Sequence, residues 1–257
     1  GGTFQQLGFH PTGVVGIFGA TVAAVRLLGG TVDEAVRAQG IALSMAGGSM
    51  AFLDTGTWTK RLHPGWAAQS ALAAAKLALA GFEAPPEAYA GRYGFYALFT
   101  QNANNVNNVD WSSAYQEFAM ESVAIKPYPI CHFNHAPVDA ALHLRTKHGL
   151  RSEHIESITI GLHERQFAVV VEPVARKQRP ESEYEAKFSV AYAVATALVR
   201  GQLGLRELEL ESRTDDAILA LTPRIHCVHD DRSNYPQTFS GGVSIKMRDG
   251  TVYEHFD

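Results

Sequence analysis

The chain is 257 residues long, 46% hydrophobic and 19% charged, with a formal net charge of -4. That length and apolar content suffice for one large domain or two smaller ones with a sizeable core, and the slightly acidic balance excludes the global basic field that nucleic-acid binding demands. Two cysteines, Cys131 and Cys227, make no disulfide framework, suit a reducing and hence cytoplasmic compartment, and are too few to hold an iron–sulfur cluster.

The first element is an apolar helix expected from Gly13 to Leu28, preceded by His10-Pro11-Thr12 with Thr12 as N-cap and ended by Gly29-Gly30. Gly13, Gly16 and Gly19 fall three apart, but Leu7-Gly8-Phe9-His10 is a poor strand for a dinucleotide fingerprint, so these glycines read as a close helix-packing face. Arg26 closes this run short of the roughly 18 apolar residues of a membrane span. No positively charged leader precedes an apolar stretch, so neither a membrane span nor a signal peptide is expected. A second helix is predicted from Val32 to about Ala51, with Thr31 before an acidic first turn and Gly47-Gly48-Ser49 loosening its end. Asp54-Thr55-Gly56 matches an aspartic-protease tripeptide, but without a second copy or flanking strands it reads as a turn.

The third helix is expected to start at Pro64, a proline being well tolerated as a first helical residue, and to run through an alanine-dense stretch to Ala80 before Gly81. Its small side chains suit an interior helix of a bundle. Lys60, Arg61 and His63 lie just upstream, where cations at the positive end of a helix are unfavourable unless an anion joins them. A loop or short helix near Pro86–Ala90 follows, and the asparagine-rich stretch 101–108 reads as a solvated connector. A domain boundary is placed after it, giving a helical domain over 1–112 and a second domain over 113–257.

The second domain opens on Lys126-Pro127-Tyr128-Pro129-Ile130-Cys131-His132-Phe133-Asn134-His135, ahead of a helix from Ala136-Pro137 through Lys147, closed by Gly149. Three helices thus start at or near a proline with His or Lys just before it, and their convergence would make a pocket for a compound with several carboxylates. Beyond this point the period changes to two. Strands are predicted at His154–Leu162, Phe167–Glu172, Arg224–Val228, Gly242–Arg248 and Thr251–Phe256, with Asp249-Gly250 turning a hairpin, and helices at Glu185–Arg200 and Asp215–Leu221. The fold class is therefore α+β: an all-helical domain followed by an α+β domain with a mainly antiparallel sheet. Cys131, His132 and His135 with His226, Cys227 and His229 lack the usual spacing of a zinc site, so no metal is expected. Tyr192 lies mid-helix on an apolar face, where packing competes with a role in chemistry.

Gly8-Phe9-His10-Pro11-Thr12-Gly13, Lys60-Arg61-Leu62-His63-x-Gly65-x-Ala67-Ala68, Lys126-Pro127-Tyr128-Pro129-x-Cys131-x-x-x-His135 with Asp139-Ala140, and Ala186-Lys187-Phe188-Ser189-x-x-Tyr192 together resemble the MmgE/PrpD family. That family contains 2-methylcitrate dehydratase, cis-aconitate decarboxylase and iminodisuccinate epimerase. The resemblance implies a helical domain and an α+β lid with a cofactor-free site between them, working as a homodimer on a small polycarboxylate, with no nucleic-acid or membrane partner. It places His10, Lys60, His63, Lys126, His135 and Tyr192 at active-site or cleft positions; His10, Lys60, Lys126 and Tyr192 are expected to be catalytic, and His63, Arg61, Cys131 and His135 to bind substrate. Cys131 stands where the decarboxylase branch has histidine, which points to a dehydratase that removes water from a hydroxy acid. An epimerase, a decarboxylase or a catalytically incomplete binding module are the alternatives. Family members are longer, with an upstream helical segment that supplies an Asp and a His, so this chain is expected to be a fragment or to be completed by a partner chain. Lys60 and Lys126 are expected to face one cleft.

Overall fold

A computed structural model describes residues 2–110, 112 and 118–257. The chain divides into two compact units, Gly1–Val123 and Ala124–Asp257. The junction expected after residue 112 abuts residues 113–117, which lie outside the described residues.

The first unit is built on helices α1 (Pro11–Leu27), α2 (Val32–Met45) and α3 (Thr59–Leu79), with a shorter helix over Phe95–Thr100. α1 begins one residue before the expected cap: His10 is the N-cap and Pro11 takes the first helical position, where its missing N–H costs nothing. α2 starts as its sequence predicts, on a capping box in which Thr31 Oγ1 accepts from the Glu34 amide while the Thr31 amide donates to the Glu34 carboxylate. It stops at Met45, short of Ala51, because Gly47-Gly48 follows and Gly48 adopts φ 148°. α3 packs against both α1 and α2. Its buried stripe is Ala67, Ala71, Ala74, Ala75 and Ala78, set against Val14, Ile17, Phe18 and Val25 of α1 and Ala38, Ile41 and Ala42 of α2. Alanine lets these axes come close. The helix buries one face rather than its whole surface, since Leu62 and Trp66 are 59% and 54% exposed. Of the three spaced glycines, Gly13 is closely packed and a Cβ at Gly16 would meet Ala67, whereas a Cβ at Gly19 would meet no other element within 4 Å among the described residues.

The second unit sets helices α4 (His135–His148) and α5 (Val190–Arg200) against a four-stranded sheet of order β2-β1-β3-β4: β1 (Ile155–Leu162), β2 (Ile225–His229), β3 (Gly242–Met247) and β4 (Val252–Phe256). The sheet is mixed rather than mainly antiparallel: β1 pairs with β2 in parallel, while β1–β3 and β3–β4 are antiparallel. The long helical connection from β1 to β2 allows a parallel return, whereas the Asp249-Gly250 turn, with Gly250 at φ 89°, imposes an antiparallel hairpin. Ile158, Ile160, Leu162, Val243 and Ile245 form the core with Val138, Ala141 and Leu144 of α4 and the buried run Val190–Leu198 of α5.

Two elements differ from those the sequence predicts. Phe167–Glu172 is not a strand: Phe167–Val170 is a turn of helix after a 3₁₀ turn that His163 and Gln166 cap reciprocally. Its β-branched composition is overridden by that local capping. The helix predicted over Glu185–Arg200 is two, Glu183–Lys187 and α5, because Ser189 leaves the helical region to cap α5 through the Tyr192 amide at 2.9 Å.

Candidate active site

In the first unit the sequence motifs at His10 and His63 converge. The N-terminus of α1 is held down on the loop after α2: the His10 amide donates to the Gly48 carbonyl at 2.8 Å and the Met50 amide to Gly8 at 2.9 Å. A Cβ at Gly13 would come 2.3 Å from the Gly47 carbonyl oxygen and 3.3 Å from His63 Cβ, so only glycine allows this approach. The His10 ring makes no capping bond. It turns instead to His63 on the buried face of α3, Nδ1 to Nδ1 at 2.8 Å. Phe52 flanks the pair, its centroid 5.8 Å from His10 and 6.2 Å from His63, and the Lys60 ammonium sits 6.0 Å from the same ring.

These surroundings fix the protonation of the pair. His10 is pulled down to about 4, first by burial, then by the Lys60 charge and by His63. His63 is lowered by burial and by Lys60. Both rings are therefore neutral at pH 7. Two neutral imidazoles joined through their Nδ1 atoms must divide the roles: the donor keeps a bare Nε2 and the acceptor carries Nε2–H. Whichever ring donates, the pair offers one base and one acid.

Lys60, Arg61 and His63 do not precede the helix, as the sequence predicts. They lie within α3, which starts at Thr59 and carries Pro64 inside it. Pro64 forfeits only the ladder bond to the Lys60 carbonyl, and the turn before it stays helical. Lys60 and Arg61 remain in the first turn of a helix without a capping side chain, where positive charge is unfavourable. The Arg61 guanidinium lies 5.3 Å from the Trp58 ring.

The second unit holds a parallel arrangement. A 3₁₀ turn, His132–Asn134, leads into α4, with His135 as its first residue rather than Ala136, and Gly149 closes it at φ 62°. The His132 and His135 ring centroids are 4.9 Å apart, and Tyr128 meets His135 edge-on at 5.4 Å. The Tyr128 hydroxyl donates to the Asp139 carboxylate, and burial with that bond raises its pKa, keeping the proton in place. His132 is lowered by burial and then by the Lys126 charge. His135 is lowered chiefly by burial, then by His132, against a backbone hydrogen bond to Ile130. His135 is 6% exposed, and its Nε2 has no hydrogen-bond partner among the described residues. The Lys126 ammonium is exposed and donates to the Ile130 carbonyl at 3.3 Å. The Cys131 amide donates to the Lys187 carbonyl at 2.8 Å, with its side chain half-buried.

Tyr192 is brought to neither cluster. It is fully buried in the core of the second unit, its hydroxyl donates to the Glu207 carbonyl at 2.6 Å, and burial lifts its pKa to about 12. That is a packing tyrosine with its polar end satisfied, so the role given it by resemblance is set aside. Among the described residues no group of three or more His, Cys, Asp or Glu side chains has the arrangement of a metal site. Sequence reasoning missed Phe52 and the Gly47-Gly48 seat. Phe52 sits in a stretch without a chemical pattern, and only the doubled glycine at 47–48 gave a local signal.

Each unit thus carries a close pair of neutral imidazoles with a lysine lowering them, on a helical unit followed by an α+β unit. The family models that match agree with this division: the MmgE/PrpD N-terminal domain over residues 2–107 and the MmgE/PrpD C-terminal domain over residues 128–256. The chain belongs to the MmgE/PrpD family. It is similar to a cis-aconitate decarboxylase of Mus musculus, 28% identical over 95% of this chain and 50% of the relative. It is also similar to a cis-aconitate decarboxylase-like protein of Aspergillus oryzae, 27% identical over 99% of this chain and 54% of the relative. A cis-aconitate decarboxylase of Homo sapiens is 31% identical over 75% of this chain and 39% of the relative. The chain spans about half the length of the curated relatives it matches.

Proposed function

We propose that this chain carries proton-transfer machinery of a cofactor-free lyase acting on a small polycarboxylate. The observation that carries the reading is the His10–His63 contact at 2.8 Å beside Lys60. The bare Nε2 removes a proton next to a carboxylate, and the Nε2–H of the other ring returns one or assists a leaving hydroxyl. Lys60 and Lys126 clamp carboxylates and stabilise the negative charge that develops. Arg61, Cys131 and His135 complete substrate binding.

Two finer reactions use the same pair. Decarboxylation of an unsaturated tricarboxylate leaves an electron pair on carbon that the Nε2–H quenches, and the cis-aconitate decarboxylase relatives favour it. Dehydration of a hydroxy acid such as 2-methylcitrate starts from the bare Nε2, and Cys131 in place of the decarboxylase-branch histidine favours it. Assay on cis-aconitate, 2-methylcitrate and citrate, with released carbon dioxide and new alkene followed separately, decides between them. Deuterium exchange from solvent with neither product would mean epimerisation. Neither turnover nor exchange on any of these acids would overturn the enzymatic reading.

A further inference from the structure

At one end of the four-stranded sheet the topology gathers three arginines. β1 and β2 run in parallel and β3 returns antiparallel to β1, so the starts of β1 and β2 lie at the same end of the sheet as the end of β3. Arg151 is the N-cap of the 3₁₀ turn Ser152–His154 that leads into β1, Arg224 immediately precedes β2, and Arg248 immediately follows β3. Two of the three are anchored on the backbone entering β1: Arg224 Nη1 donates to the Ile155 carbonyl at 2.7 Å, and the Arg248 amide donates to the His154 carbonyl at 2.9 Å. Both line one cavity of about 280 Å³, with Ser152 and Glu153 beside them and Ala217 and Ala220 of the short helix Asp216–Leu221 as an apolar wall. The carboxylates adjoining them in the chain are committed, Glu153 to Arg151 at 2.7 Å and Asp249 to the Thr251 amide at 2.9 Å. Neither Arg224 nor Arg248 forms an ion pair among the described residues. Two guanidiniums on one cavity repel each other until an anion joins them.

We propose that this cavity is a second anion site, whose ligand is a small organic phosphomonoester. A carboxylate carries one charge and satisfies one guanidinium, whereas a phosphomonoester carries nearly two charges and presents three terminal oxygens, enough to bridge both arginines. Ser152 adds a hydroxyl, and the Ala217 and Ala220 wall takes the carbon portion. The imidazole cluster of the second unit lies at the other end of the sheet, where a Cβ at Gly241, just before β3, would come 3.3 Å from Pro137 of α4. The two sites are therefore separate, and this one does not depend on the lyase reading.

The test is a titration of the full chain with phenyl phosphate, inorganic phosphate and benzoate, followed by nuclear magnetic resonance of the backbone amides. Phenyl phosphate is expected to shift the Ser152, Ala220 and Arg248 amides saturably. It should bind about threefold or more tightly than inorganic phosphate, which lacks the carbon portion, and about tenfold more tightly than benzoate, which lacks the second charge. Arg224→Gln and Arg248→Gln should each weaken phenyl phosphate by about tenfold and leave tricarballylate affinity unchanged. Arg248 is exposed and its anchor is a backbone bond, so its variant decides the matter if circular dichroism shows that Arg224→Gln disturbs the fold. Shifts confined to residues outside the cavity, benzoate binding as tightly as phenyl phosphate, or undiminished affinity in Arg248→Gln would overturn the proposal, as would the lack of saturation at millimolar phenyl phosphate.

Discussion

His10 concentrates the argument at the scale of single residues. Removing its ring while keeping a similar volume and polarity, as in His10→Asn, leaves His63 without a partner for proton division. Loss of one acid–base group is worth about 10²–10⁴ in rate. kcat/KM is expected to fall by that factor, chiefly in kcat, as steady-state assays on the active acid would show. The same residue makes a prediction about stability. Its pKa is about 4 in the folded chain against an ordinary 6.5, and His63, His132 and His135 are displaced in the same direction. Between those values the unfolded chain binds more protons, so stability is present above about 6.5 and is lost as pH falls towards about 4. Thermal unfolding over a pH series should show Tm declining well before carboxylates titrate, with a shallower decline in His10→Asn. A flat Tm down to about 4.5 would show that the imidazoles are not buried neutral.

At the scale of elements, two contacts position these groups. Gly13→Ala puts a methyl 2.3 Å from the Gly47 carbonyl oxygen, so α1 must move away from the loop that seats His10. A cost of about 1–3 kcal/mol is expected, typical of overpacking, and denaturant unfolding measures it. Ser189 is fully buried, accepts from the Tyr192 amide and donates to the Lys177 carbonyl. Ser189→Ala removes a helix cap and leaves that carbonyl without its partner, costing about 1–2 kcal/mol, by the same measurement. The sequence made parts of this legible and hid others. Thr31 with Glu34, Gly149 and Asp249-Gly250 act within a few residues of themselves, so local chemistry marks them. His10 and His63 were each marked by a proline motif, but their 2.8 Å contact depends on how α1 crosses α3, which no local pattern carries. The start of α3 at Thr59 was hidden because Pro64, a good first residue, disguised an interior position. The parallel β1–β2 pairing was hidden because Ile225–His229 alternates equally well in either direction.

For the whole molecule, each of the two units contributes a lysine proposed to bind a carboxylate. Lys60 belongs to the first unit and Lys126 to the second, and each is proposed to hold a carboxylate. A charge-assisted hydrogen bond contributes about 1.5–3 kcal/mol, so Lys60→Met and Lys126→Met should each weaken tricarballylate binding about tenfold or more by calorimetry. If only one variant loses affinity, the other lysine holds no carboxylate. The chain's span of about half of each relative bears on turnover rather than on this binding test.

The central claim is that His10 and His63 move a proton beside a carboxylate, and nuclear magnetic resonance in deuterium oxide tests it most directly. Cis-aconitate and 2-methylcitrate would be incubated with the wild-type protein and with His10→Asn at pH 7. Deuterium is expected in a C–H bond next to a carboxylate, in the product of decarboxylation or in substrate recovered from reversible dehydration. His10→Asn is expected to lower the rate of that labelling by about 10² or more while the protein stays folded. Labelling and turnover undiminished in His10→Asn would contradict it.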